Sequence, residues 1–143
     1  MTRYATEILE RRRAAVASAG GDATFPFDGP FERLAEGMTF TTAARAVHDT
    51  EAFALLSHAA RLVPLDRSRV TLRRVSDVVF RRPVAAGDEL HVQGRVEALA
   101  PGGEDAGQVT LAWNLVDHAG RCVCRARVEL EWAREESFVA IPL

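Results

Sequence analysis

The chain has 143 residues, 48% of them apolar and 27% charged, which excludes disorder and fibrous architecture and leaves one domain able to remove roughly 70% of its unfolded surface from water. A net charge of -2 gives no basic excess for a nucleic-acid partner, and the 18 basic residues are all arginine, which excludes Schiff-base and P-loop lysine chemistry. No apolar run approaches the ~20 residues of a membrane span, and Glu7 and Glu10 interrupt any apolar signal core, so a cytoplasmic protein with no membrane contact is expected.

Taken in chain order, Thr2 to Ser18 predicts an appended helix, with Tyr4, Ile8 and Leu9 apolar, Arg11, Arg12 and Arg13 charged, and Gly20-Gly21 ending it. The arginine run reads as a solvated helix face, with an anion-binding patch as the alternative. Thr24 to Pro30, with two prolines, a glycine and two phenylalanines, predicts an extended linker whose aromatics lie on the main domain. Residues 1–30 are thus an N-terminal helix and linker, and the domain proper runs over 31–143.

Gly37 turns the chain into a first strand over Met38 to Val47, where Met38-Thr39-Phe40-Thr41 alternates. Asp49 or Thr50 caps a helix reaching about Val63, because Phe53, Leu56, Ala60 and Val63 recur at spacings of three and four and Pro64 closes it. Everything after it reads as strand. Arg74 to Val84 ends at the turn Ala86-Gly87-Asp88. Leu90, Val92, Gly94, Val96 and Ala98 then alternate strictly with Glu89, His91, Gln93, Arg95 and Glu97. Beyond a Gly/Pro loop over Ala100 to Gly107, Val109, Leu111, Trp113 and Leu115 alternate in the same way. The turn Asp117-His118-Ala119-Gly120 leads to a last strand with Cys122, Cys124, Ala126, Val128, Leu130 and Trp132 on one face. The two cysteines read as buried core thiols, since no Cys/His cluster of metal spacing surrounds them. An antiparallel meander with one apolar face needs a cover, and a single helix on that face gives an α+β architecture.

Three stretches resemble the MaoC-like dehydratases and hydratases over Phe31 to Arg134. Phe31-Glu32-Arg33-Leu34-Ala35-Glu36-Gly37-Met38 resembles the family's opening, and Ala52-Phe53-Ala54-Leu55-Leu56-Ser57 resembles its short helix. Val79-Phe80-Arg81-Arg82-Pro83-Val84-Ala85-Ala86-Gly87-Asp88-Glu89-Leu90 resembles its strand, turn and strand. The last is the most specific: proline stops one strand, Gly-Asp turns the chain and Leu resumes the buried face. The resemblance implies the hot-dog fold, an antiparallel β-sheet wrapped around one helix. It also implies an acyl-CoA or acyl-carrier-protein thioester as ligand, no cofactor, no metal, and a homodimer or a heterodimer with another hot-dog subunit.

Family catalysis rests on an Asp and a His that act as acid and base while water is added to, or lost from, an unsaturated thioester. Laid on Leu56 to Asp66 without gaps, the family pattern places Ala59 at the Asp position, Arg61 at the Asn position and Pro64 at the His position. Neither Ala59 nor Pro64 can transfer a proton. His58 and Asp66 remain as a rearranged dyad, His48 as a residue lining the cleft, and Glu51 as the thioesterase-type carboxylate; each has a bland alternative on a helix surface, in a turn or at a helix start. Ser57, His58 and Arg61 are the candidate substrate-binding residues. His91 and His118 read as solvated. Too few positions lie between Asp66 and Leu72 for a further helix of average length, about 11 residues, so either Thr50 to Val63 serves as the central helix or that helix is missing. Three functions follow: a pseudo-enzyme subunit shaping an acyl-thioester tunnel, an active but atypical hydratase, dehydratase or thioesterase, and a small-molecule binding or assembly protein of a biosynthetic pathway.

Overall fold

The computed structural model describes residues 25–135; the expected N-terminal helix over Thr2 to Ser18 lies outside them. Six strands form one antiparallel system: β1 (Thr39–Thr41), β2 (Arg45–Ala46), β3 (Val70–Phe80), β4 (Glu89–Ala100), β5 (Ala106–Val116) and β6 (Cys122–Ala133). Their order is β1-β4-β5-β6-β3, with β2 pairing alongside on β4. A single helix among the described residues, α1 (Ala52–Leu62), follows β2. The expected α+β arrangement is the one observed.

Strict alternation in β4, β5 and β6 explains the two faces. Leu90, Val92, Val96, Val109, Leu111, Trp113, Leu115, Val128, Leu130 and Trp132 are buried on one side. The other side carries ion pairs: Arg127 reaches both Glu97 (2.9 Å) and Asp77 (2.6 Å), and Arg73 reaches Glu131 (2.6 Å). Charged side chains on a solvated face keep that surface from stacking, while the apolar face must find a cover. Val123 is buried as well as Cys124, because the register shifts between Leu115 and Val116. That shift leaves Cys122 only half-buried.

The cover comes from two sources. The segment from Phe25 lies on the sheet, with Phe25, Phe27 and Phe40 rings 4.6 to 5.1 Å apart. The indole N–H of Trp132 donates to the Gly29 carbonyl at 2.8 Å, satisfying a polar group that is otherwise fully buried. Phe40 lies so close over Gly94 that a Cβ there would stand 2.1 Å from its ring, so only glycine fits beneath it. The second cover is α1, which packs on β4.

Three expectations are corrected here. The first strand, expected as one run over Met38 to Val47, is broken into β1 and β2. At Thr42 the side-chain oxygen, not a backbone carbonyl, accepts the Val92 N–H (2.9 Å), so the ladder is interrupted by a local competitor. The strand expected over Arg74 to Val84 runs from Val70 to Phe80 instead, paired to β6 from Trp132 to Cys124. The helix starts at Ala52 with Glu51 as its N-cap residue, and no side chain caps it; Asp49 instead accepts the Glu51 N–H in a turn (3.0 Å).

The helix is also rotated from the expected stripe. Of the expected stripe, Val63 is buried and Leu56 is half-buried against the core, but Phe53 is 76% exposed and Ala60 is exposed, and Leu55, His58 and Ala59 are the buried residues of the helix. The run Ala52-Phe53-Ala54-Leu55-Leu56 is apolar on every side, so spacing alone selects no unique face.

Candidate functional site

The sequence candidates lie on the helix and in the segments that flank it. His58 is 9% exposed, and its Nε2 is buried with no hydrogen-bond partner. Burial drives its pKa below the ordinary imidazole value, and the positive charges of Arg61, His48 and Arg45 push the same way; only the Arg45 backbone carbonyl opposes them. The imidazole is therefore neutral at pH 7, with one nitrogen as an unused lone pair or donor.

Asp66 lies in the turn after α1, where its carboxylate accepts the Ser68 hydroxyl (2.6 Å) and the Ser68 N–H (2.9 Å). The Ser68 hydroxyl and amide hold its pKa below the usual carboxylate value. The carboxylate of Asp66 thus bonds to Ser68, and His58 Nε2 has no hydrogen-bond partner. Glu51 sits exposed at the start of the helix, seven residues before His58 and so roughly 10 Å away along the axis, beyond direct proton transfer. Ser57, His48 and Arg61 are exposed beside His58. Ala59 is a buried core methyl and Pro64 an exposed residue past the helix.

Arg45 was not legible as a site residue. It is 13 positions before His58 and on a strand fragment, and no spacing pattern links the two. The signal lies in register: Arg45 opposes Leu90, whose side chain points to the helix-covered face, so Arg45 projects to the side where His58 lies.

Other reactive groups are quiet. Cys124 is buried and its thiol pushed up to about 11 by that burial, which leaves no thiolate at neutral pH. Among the described residues no three His, Cys, Asp or Glu side chains come together as metal ligands, and no helix is long and apolar enough to cross a membrane. His118 is exposed in its turn and His91 lies beside Gln93 on β4.

No protein-family model matches the chain, and no curated protein matches it. Solved structures do. A monoamine oxidase regulatory protein from Archaeoglobus fulgius superimposes with a TM-score of 0.67 at 20% identity, covering 74% of this chain and 95% of its own. A MaoC-like dehydratase from Rhodospirillum rubrum gives 0.66 at 20% identity, covering 80% of this chain and 99% of its own. The chain has the hot-dog fold. A third hot-dog structure, the unliganded R-hydratase PhaJ1 from Pseudomonas aeruginosa, aligns at 0.53 and 21% identity over 74% of this chain and 86% of its own. At these identities the likeness is one of fold, and the chemistry of this hot-dog domain rests on its own residues.

Proposed function

We propose that this hot-dog domain is a MaoC-like subunit that binds acyl thioesters, of coenzyme A or of acyl-carrier protein, without the acid–base pair needed to hydrate or dehydrate them. One observation carries the reading. The one titratable group buried in the face of α1 is His58, its Nε2 has no hydrogen-bond partner, and no carboxylate is hydrogen-bonded to it among the described residues; a hydratase needs a second, oppositely tuned group beside the first. The structural likeness to a dehydratase and an R-hydratase supports the ligand class. The subunit works in the cytosol, which suits its two free thiols, and pairs through its exposed sheet edge with a second copy or with an active hot-dog paralogue.

The test is a spectrophotometric assay of crotonyl-CoA hydration alongside calorimetric titration of the same thioester. Each positioned acid or base contributes typically 10² to 10⁴ in rate, so the expected result is binding with turnover at background. Robust turnover by the wild-type chain overturns the degenerate reading. A second reading, a single-base enzyme, is favoured by the neutral His58 with its unused Nε2. It requires turnover that collapses in His58→Ala and falls on acidification as the imidazole protonates.

A further inference from the structure

The corner where α1 meets β2 collects Arg45, His48, His58 and Arg61; the acids beside them are Asp49, whose carboxylate accepts the Glu51 N–H (3.0 Å), and Glu51, exposed at the N-cap about 10 Å along the helix from His58. Arg45 projects to the helix side of the sheet because it opposes Leu90. His58 and Arg61 are three residues apart and so share one helix face, and His48 follows β2 directly. Glu89, the acid nearest in register, opposes Ala46 and points to the other face. On its helix side β4 offers only apolar Leu90 and Val92. Arginines elsewhere, such as Arg73, Arg127 and Arg134, are engaged by acids. Neither Arg45 nor Arg61 forms an ion pair among the described residues.

Arg61 in the last turn has one local explanation, since a cation there offsets the carbonyl end of the helix. That explanation does not extend to Arg45 or His48, which are off the helix, nor to a buried imidazole nitrogen left without a partner. Like charges held together beside an unsatisfied, desolvated nitrogen call for an anion able to accept several hydrogen bonds.

We propose that Arg45, His48, His58 and Arg61 form a binding site for a phosphate-class dianion. The two guanidiniums supply the charge, the exposed His48 a further donor, and His58 the floor. Occupation reverses the electrostatics at His58. The dianion offsets Arg45, Arg61 and His48 and so works against the burial that chiefly lowers the His58 pKa, which makes the imidazole take up a proton more readily, and the protonated ring donates from both nitrogens. Anion and proton therefore bind together, each strengthening the other. The source of the phosphate, a carrier such as coenzyme A or a free anion, is a separate question, and only the carrier assignment rests on the thioester reading.

The experiment is an NMR titration of the histidine ring resonances in the full chain at constant ionic strength. Sulfate is the probe, because its charge does not change between pH 5 and 8. Saturating sulfate should raise the apparent pKa of His58 by about one unit. Arg45→Gln and Arg61→Gln, both at exposed positions, should each weaken sulfate binding about tenfold, and the double variant should lose the effect while keeping its circular-dichroism spectrum. No shift with sulfate, or an equal shift in the double variant, overturns the site. Coenzyme A acting on the same resonance at lower concentration assigns the phosphate to a carrier; sulfate acting where coenzyme A does not supports the site and overturns that assignment. Failure of acyl-thioester binding in calorimetry would sink the thioester reading and leave the sulfate result standing.

Discussion

His58 sets the pH behaviour expected of the folded chain. Its folded pKa lies below the unfolded value near 6.5, chiefly through burial. Above that unfolded value both states are neutral and no stability is lost. As pH falls through 6.5 toward the lowered folded pKa, the unfolded chain takes up a proton that the folded chain resists, and stability declines. The wild-type melting temperature should therefore drop between pH 7 and pH 5. His58→Leu, which has no imidazole to titrate, should show a shallower drop; parallel pH–melting curves for the two proteins would show that His58 does not carry this dependence. Added sulfate should flatten the wild-type curve in the same direction, which links the stability measurement to the anion site.

At the scale of the elements, the helix is where expectation and structure part most clearly. An apolar pattern that runs all round a short helix fixes its existence and not its rotation, and the structure turns Leu55, not Phe53, to the sheet. Leu55→Asp buries an unpaired carboxylate and should cost about 3 kcal/mol or more, whereas Phe53→Asp at an exposed position should stay within about 0.5 kcal/mol of wild type. Urea unfolding of the two variants decides between the faces: equal losses, or a larger loss for Phe53→Asp, would place the helix in the rotation first expected from its spacing. The broken first strand has a similar origin, since nothing in the alternation of Met38 to Val47 reveals that the Thr42 hydroxyl accepts the Val92 N–H in place of a backbone carbonyl.

For the whole molecule, the decisive feature is the outer edge of β3. It ends the strand order, and Leu72, Val75 and Phe80 on its helix-side face are 41 to 56% exposed, although Leu130, Val128 and Cys124 beside them on β6 are buried. The cover thus reaches Val70 at the start of β3 and leaves Leu72, Val75 and Phe80 exposed. An unpaired strand edge next to an apolar row is a template for a second sheet. We expect a dimer in sedimentation at micromolar concentration, weakened at least tenfold by Leu72→Glu with Phe80→Glu, both at exposed positions that leave the folded subunit intact. A stable wild-type monomer would rule out self-pairing.

What the sequence determined by itself was local and periodic. Alternation named the buried face of β4, β5 and β6 along their regular stretches, because a strand places every second side chain on one side; it failed at the register shifts, where Ala98 is exposed and Val123 is buried beside a half-buried Cys122. The turn at Asp117 to Gly120 followed from residues that satisfy their own backbone: the Asp117 carboxylate accepts the Ala119 and Arg121 N–H groups at 2.9 Å. The absence of proton-transferring side chains at Ala59 and Pro64 was equally legible, since it depends only on residue type. Tertiary structure alone decided the rotation of α1 and the approach of Arg45 to the His58 imidazole. Each of these depends on how far one element slides or turns against another, and packing across elements sets that distance with no repeat in the chain to report it.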